Sequence, residues 1–72
     1  MQQKLELVYR KINKNLLAAR HEQGLTQEEL AKRAKTSRLI VANYETNRSR
    51  LALHELLRVC KVLGLTLRKV LK

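Results

Sequence analysis

Only Lys35 and Thr36 separate the end of one capped helix from the start of another. In "TQEE", the Thr26 hydroxyl can accept from the Glu29 backbone N–H while the Glu29 carboxylate reaches back to the Thr26 amide, which is a capping box. Glu28 and Glu29 in the first turn also suit the positive end of the helix dipole. This helix carries Leu30, Ala31 and Ala34 inward and is predicted to stop around Lys35. Ser37 is a natural N-cap for the next. So short a connection forces the two helices to meet at a sharp angle, and the alanines let a further helix approach closely.

The rest of the chain continues in the same style. It has no proline and only two glycines, Gly24 and Gly64, so its elements must be joined by short turns. Few aromatics and many Leu, Ala, Lys, Arg, Glu and Gln favour helices over strands. Leu5, Val8, Tyr9, Ile12, Leu16 and Ala19 fall on one stripe at helical spacing, with Lys4, Lys11 and Lys14 off it. That first helix is predicted to end near Gln23, with Gly24 at C′. A fourth helix over about residues 52–63 is expected to bury Leu53, Leu56, Leu57, Cys60 and Leu63, leaving Val59 and Val62 on its flank. Gly64 ends it. Thr66 caps a short fifth helix bearing Leu67, Val70 and Leu71. The expectation is an all-α, five-helix bundle forming one domain over residues 1–72. Residues 1–11 are an N-terminal extension of helix one, and the sharply joined pair spans about 26–45.

The third helix, "RLIVANYE", divides its apolar run between two faces. At about 100° per residue, Ile40, Val41 and Tyr44 cluster on one side, and Arg38, Leu39, Ala42 and Asn43 on the other.

Charge narrows the partner. Sixteen Lys and Arg stand against six Glu and no Asp, a formal charge of +10. That balance suits a polyanion, nucleic acid before an anionic membrane surface. No segment is long enough to span a bilayer, and the start lacks the apolar core of a signal peptide, so a cytoplasmic, bacterial or phage-encoded protein is expected. Cys60 is the only cysteine and falls on an apolar stripe, which reads as a packing thiol. His21, His54 and Cys60 have no metal-ligand spacing, and there is no Gly-rich phosphate loop. Neither catalytic residues nor a metal, cofactor or small-molecule ligand is expected.

A capped helix, a tight turn and a second capped helix with a polar outer face form a helix-turn-helix signature. In such a pair the second helix can enter the major groove, and Gln27 at the start of the first is placed to donate to a phosphate. "GLTQEELAKRAKTSRLIVANYETN" resembles the core of the Cro/repressor-type (XRE) helix-turn-helix family, and the likeness runs without a gap over about residues 12–71. Its features recur as Arg20, Thr26, Gln27, Leu30, Ala31, Ser37, Val41, Tyr44, Glu45, Leu56, Leu63 and Gly64, with an apolar residue at Val70. The resemblance implies a lambda-repressor-like bundle in which Arg20 and Glu45 form a structural salt bridge. It also implies base contacts from Arg38, Leu39 and Asn43, with Ala42 close by, and phosphate contacts from Gln27, Ser37, Thr46, Arg48 and Arg50. Chemistry agrees: Arg38 can bond guanine O6 and N7, Asn43 adenine N6 and N7, and Leu39 can touch a thymine methyl. Three positions depart from the family pattern. Lys35 and Asn47 stand where glycine is common, the lysine at a cost of roughly 1 kcal/mol, and Leu51 replaces a frequent proline.

The expected function is sequence-specific binding of double-stranded DNA by a regulator, a repressor or autoregulator. One module reads few base pairs, so a homodimer is expected on half-sites about 34 Å apart. Val59, Val62, Leu65, Leu67 and Val70 are the interface candidates. The 72 residues leave no room for a ligand-sensing domain, so activity is expected to follow concentration, operator arrangement or a partner protein. Small proteins of this resemblance include phage repressors, controller proteins of restriction–modification systems, and antitoxins; "VANYETN" is similar to HipB-type antitoxins. Two alternatives stay open: an antitoxin whose main task is to bind a partner toxin, and a protein-binding adaptor on the same fold. RNA binding is disfavoured by the scarcity of aromatics for base stacking.

Overall fold

The computed structural model describes residues 2–72, with side chains from Lys4 onward. Five helices follow in order: α1 (Gln2–Glu22), α2 (Gln27–Arg33), α3 (Arg38–Glu45), α4 (Leu53–Leu63) and α5 (Leu67–Val70). No strand occurs among the described residues. At 1.5 Å per residue, α1 is about 31 Å long, nearly the 35 Å long axis of the molecule. It is the spine against which α3, α4 and α5 pack, while α2 packs on α3 and α4. Ile12, Leu16 and Ala19 of α1 meet Leu30, Val41, Tyr44, Leu56 and Leu63 in one core. One side chain of α1 and one just after its end also satisfy carbonyls at other helix ends. Asn15 Nδ2 donates to Val70 O at 2.8 Å and Gln23 Nε2 to Leu63 O at 2.7 Å.

Local chemistry sets the boundaries. The Thr26 box is complete: Glu29 N donates to Thr26 Oγ1 at 3.0 Å and Thr26 N to Glu29 Oε1 at 2.9 Å. The bond from the Thr26 amide, then that involving its side chain, hold the Glu29 carboxyl below the usual carboxylate range. Ser37 Oγ accepts from Ile40 N at 3.2 Å, and Thr66 Oγ1 from Lys69 N at 3.1 Å.

The C-termini of α1 to α4 share one device. Gly24, Lys35, Asn47 and Gly64 all have positive φ, between 56° and 69°. In each case the next residue's N–H turns back to a carbonyl five residues earlier: Leu25 to Arg20, Thr36 to Ala31, Arg48 to Asn43 and Leu65 to Cys60. This is the Schellman-type closure. Two of the four positions carry a side chain that the left-handed region disfavours. Lys35→Gly is therefore expected to raise stability by about 1 kcal/mol, read as a shift in the urea midpoint at unchanged slope; an unchanged or lower midpoint would contradict the strain.

Several predicted core positions turn out to be exposed. Leu5 and Val8 lie in solvent because α1 outruns the shorter helices packed on it, and Leu7 beside them is 65% exposed. In α4 the inward arc is Leu56, Val59, Cys60 and Leu63, because α1 and α2 both pack on it. Leu53 and Leu57 rotate outward, and Leu51 from the preceding loop enters the core instead. Leu67 and Leu71 are exposed too: of the short α5 segment only Val70 is enclosed, between α1 and α4. Val59 and Val70, two of the predicted dimer contacts, are fully buried and cannot meet a second copy. Val62 and Leu65 are half-buried against the core, and Leu67 is open.

Tyr44 is fully enclosed, yet its hydroxyl has no hydrogen-bond partner among the described residues. Burial first, and the neighbouring Glu45 charge second, push the phenol above its ordinary range and keep it neutral. Removing an unpaired buried hydroxyl relieves its desolvation cost. Tyr44→Phe is thus expected to leave stability unchanged or raise it by about 1 kcal/mol; thermal unfolding that shows a clear loss would reveal a partner for the hydroxyl.

Candidate nucleic-acid interface

The candidate site is built on α3. Val41 and Tyr44 are buried and Ile40 half-buried, so this side anchors the helix. The opposite side carries Arg38, Leu39, Ala42 and Asn43, which are neighbours at spacings of three and four residues. Leu39 is 68% exposed, and Arg38 is exposed with no ion pair among the described residues. The half-buried Asn43 gives its carbonyl to Arg48 N at 2.8 Å, while its side-chain amide makes no hydrogen bond among the described residues. The face thus combines a guanidinium, an amide and an aliphatic group, all uncommitted. Eight residues make α3 about 12 Å long, and an α-helix, about 10–12 Å across with its side chains, fits a major groove about 12 Å wide.

Arg20 and Glu45 fix that helix to α1. Arg20 Nε donates to Glu45 Oε2 at 2.7 Å and Nη2 to Oε1 at 3.0 Å, a two-pronged pair whose side chains are only 10% and 4% exposed. Arg20 Nη1 donates further to Leu25 O at 2.7 Å. The pair therefore joins α1, the α1–α2 turn and the C-terminus of α3.

The proposed phosphate residues fall into two groups. Ser37 accepts the α3 cap bond, so its own proton is free to donate outward. Arg48 is exposed in the loop after α3. Arg50 places its guanidinium over the Tyr9 ring, 4.5 Å from the centroid, a cation–π contact that holds the loop arginine against α1. Gln27 and Thr46 differ from expectation. Gln27 Nε2 donates to Glu45 Oε1 at 2.8 Å, committing one amide hydrogen inside the domain and leaving one. The Thr46 hydroxyl donates to Ala42 O at 3.0 Å, closing α3 with the proton a phosphate would need.

Sequence reasoning missed the residues that shape this loop. Asn13, buried on α1, donates through Nδ2 to Asn47 Oδ1 at 3.1 Å. A polar residue adjoining the apolar stripe of α1 is the available signal, but its partner lies 34 residues away. Cys60 is buried, and burial raises its thiol above the ordinary range, as a packing thiol's would be. No described helix is long and apolar enough to cross a membrane.

Capped α2, its tight turn and the outward-facing α3 define a helix-turn-helix DNA-binding domain. A family model described as helix-turn-helix matches residues 16–70, and the chain belongs to this Cro/repressor-type (XRE) family. It is a DNA-binding helix-turn-helix regulator. No curated protein and no solved structure shows a significant match.

Proposed function

We propose that the protein is a sequence-specific regulator of transcription, a dimeric repressor or autoregulator that reads double-stranded DNA with α3 in the major groove. The observation that carries this is the outward face of α3, where Arg38, Leu39 and Asn43 stand free of internal partners among the described residues while Val41, Tyr44 and the Arg20–Glu45 pair immobilise the helix beneath them. Arg38 and Asn43 read guanine and adenine edges, and Leu39 meets a thymine methyl. Ser37, Arg48 and Arg50 hold the backbone, joined by Gln27 through its second amide hydrogen. Thr46 belongs with them only through its exposure, since its proton serves α3. The dimer face on this reading is Leu65 and Leu67 together with the exposed Leu53 and Leu57; Val62 instead lines the cleft between α2 and α4. A cytoplasmic, bacterial or phage setting goes with it.

The test is titration of the protein against random duplex and against its own upstream DNA at two salt concentrations. Preferred binding to the upstream DNA is expected, with log K falling by about 0.9 per log unit of salt for each phosphate neutralised. Absence of binding to every duplex at low salt would sink the reading, and binding without sequence preference would reduce it to an architectural role.

One observation favours the antitoxin or adaptor reading as a second role. Leu5, Leu7 and Val8 expose apolar surface on the early turns of α1. Their replacement by serine is expected to leave DNA affinity intact.

A further inference from the structure

A second cationic surface lies outside the DNA face. The C-terminal parts of α2 and α4 enclose an open cleft of about 410 Å³, lined by Arg33, Ala34, Lys35, Arg58, Lys61 and Val62. Four of the six are cations, and none has a carboxylate within ion-pair distance among the described residues. Ala34 and Val62 give the cleft an apolar floor. We propose that it docks an acidic segment of a partner protein, an aliphatic side chain seated between Ala34 and Val62 with carboxylates on either side meeting the four cations.

Charge complementarity identifies the occupant. A second copy of the chain supplies it poorly. Of the six glutamates, Glu29 and Glu55 cap helices, Glu45 is held by Arg20 and Gln27, and Glu6 faces Arg10 at 3.9 Å; Glu22 and Glu28 are exposed, but Leu25 between them is buried in the core and cannot be offered with them. A phosphodiester strand fits less well than a peptide, because its sugar carbons are flanked by phosphates and give the Ala34–Val62 floor no projecting aliphatic side chain. The position agrees: the cleft sits at the C-terminal end of α2, about 10 Å along that helix from Gln27. Lys35 contributes one of the four cations from a strained, positive-φ backbone. The proposal stands independently of which DNA sequence α3 reads.

The experiment uses the full chain and a fluorescent peptide with one leucine flanked on both sides by glutamates, at about 0.15 M salt. The peptide is expected to shift the Ala34 and Val62 methyl resonances. Its affinity is expected to fall about tenfold when the leucine becomes serine, and about tenfold in the Arg58→Gln/Lys61→Gln variant. Lys35→Gly is expected to weaken the peptide while stabilising the fold, which separates lost docking from lost structure. DNA affinity and its salt slope are expected to be unchanged in Arg58→Gln/Lys61→Gln. Equal binding of the serine peptide, or methyl shifts absent from the cleft, would overturn the proposal. A DNA salt slope lowered by nearly two units in that variant would overturn it as well, assigning the cleft to the phosphate backbone.

Discussion

Arg20→Met is expected to destabilise the domain by about 3–5 kcal/mol, the cost of leaving one member of a buried ion pair uncompensated. The substitution keeps most of the side-chain volume but strands the Glu45 carboxylate, whose side chain is 4% exposed, with Gln27 as its remaining donor. It also removes the bond to Leu25 O, which shapes the turn into α2. For a chain of 72 residues the whole stability is about 4–11 kcal/mol, so much of the population unfolds on mild warming. Replacing both partners, Arg20→Met/Glu45→Met, is expected to recover a large part of the loss, because no charge then remains in the interior. Urea unfolding of the two single variants and the double variant gives the coupling energy directly. Additive losses below about 1 kcal/mol each would show that the pair behaves like a surface bridge and does not hold α3 in place.

The Arg20–Glu45 pair also shows what a sequence can and cannot announce. Its partners lie 25 residues apart, and only the resemblance to a family suggested that they meet. Helix starts and stops are different. Thr26, Ser37 and Thr66 act on amides three residues away, so their meaning is written locally. The division of α3 was legible for a similar reason: an eight-residue helix with charged and amide groups on one arc has only one way to bury the other.

Helices α4 and α5 were misjudged because leucine is too abundant there to mark a face. Leu53, Leu56, Leu57 and Leu63 satisfy more than one helical stripe, and the choice among them depends on where α1 and α2 press. The same missing information hid Asn13–Asn47 and Gln27–Glu45, two side-chain bonds that no spacing predicts. Both shape the candidate interface: one sets the path of the arginine loop, and the other turns a predicted phosphate donor inward.

Arg38→Ala and Asn43→Ala are each expected to cost about 1–3 kcal/mol on the preferred site and to relax specificity at one base position. Both side chains are free of internal hydrogen bonds or ion pairs among the described residues, so their removal should not perturb the fold. Arg48→Ala makes the contrast. It is expected to weaken all sequences alike and to flatten the salt slope by nearly one unit. Identical behaviour of the two kinds of variant would erase the division between reading and anchoring residues. Leu39 admits a finer version of the same test, because its contact is a single methyl group. Uracil in place of thymine removes that methyl from the DNA, and Leu39→Ala removes its partner from the protein. If the two touch, either change alone weakens binding and the second adds little once the first is made. If the losses add, the 68% exposed leucine does not touch that methyl, and its exposure is left for a protein partner.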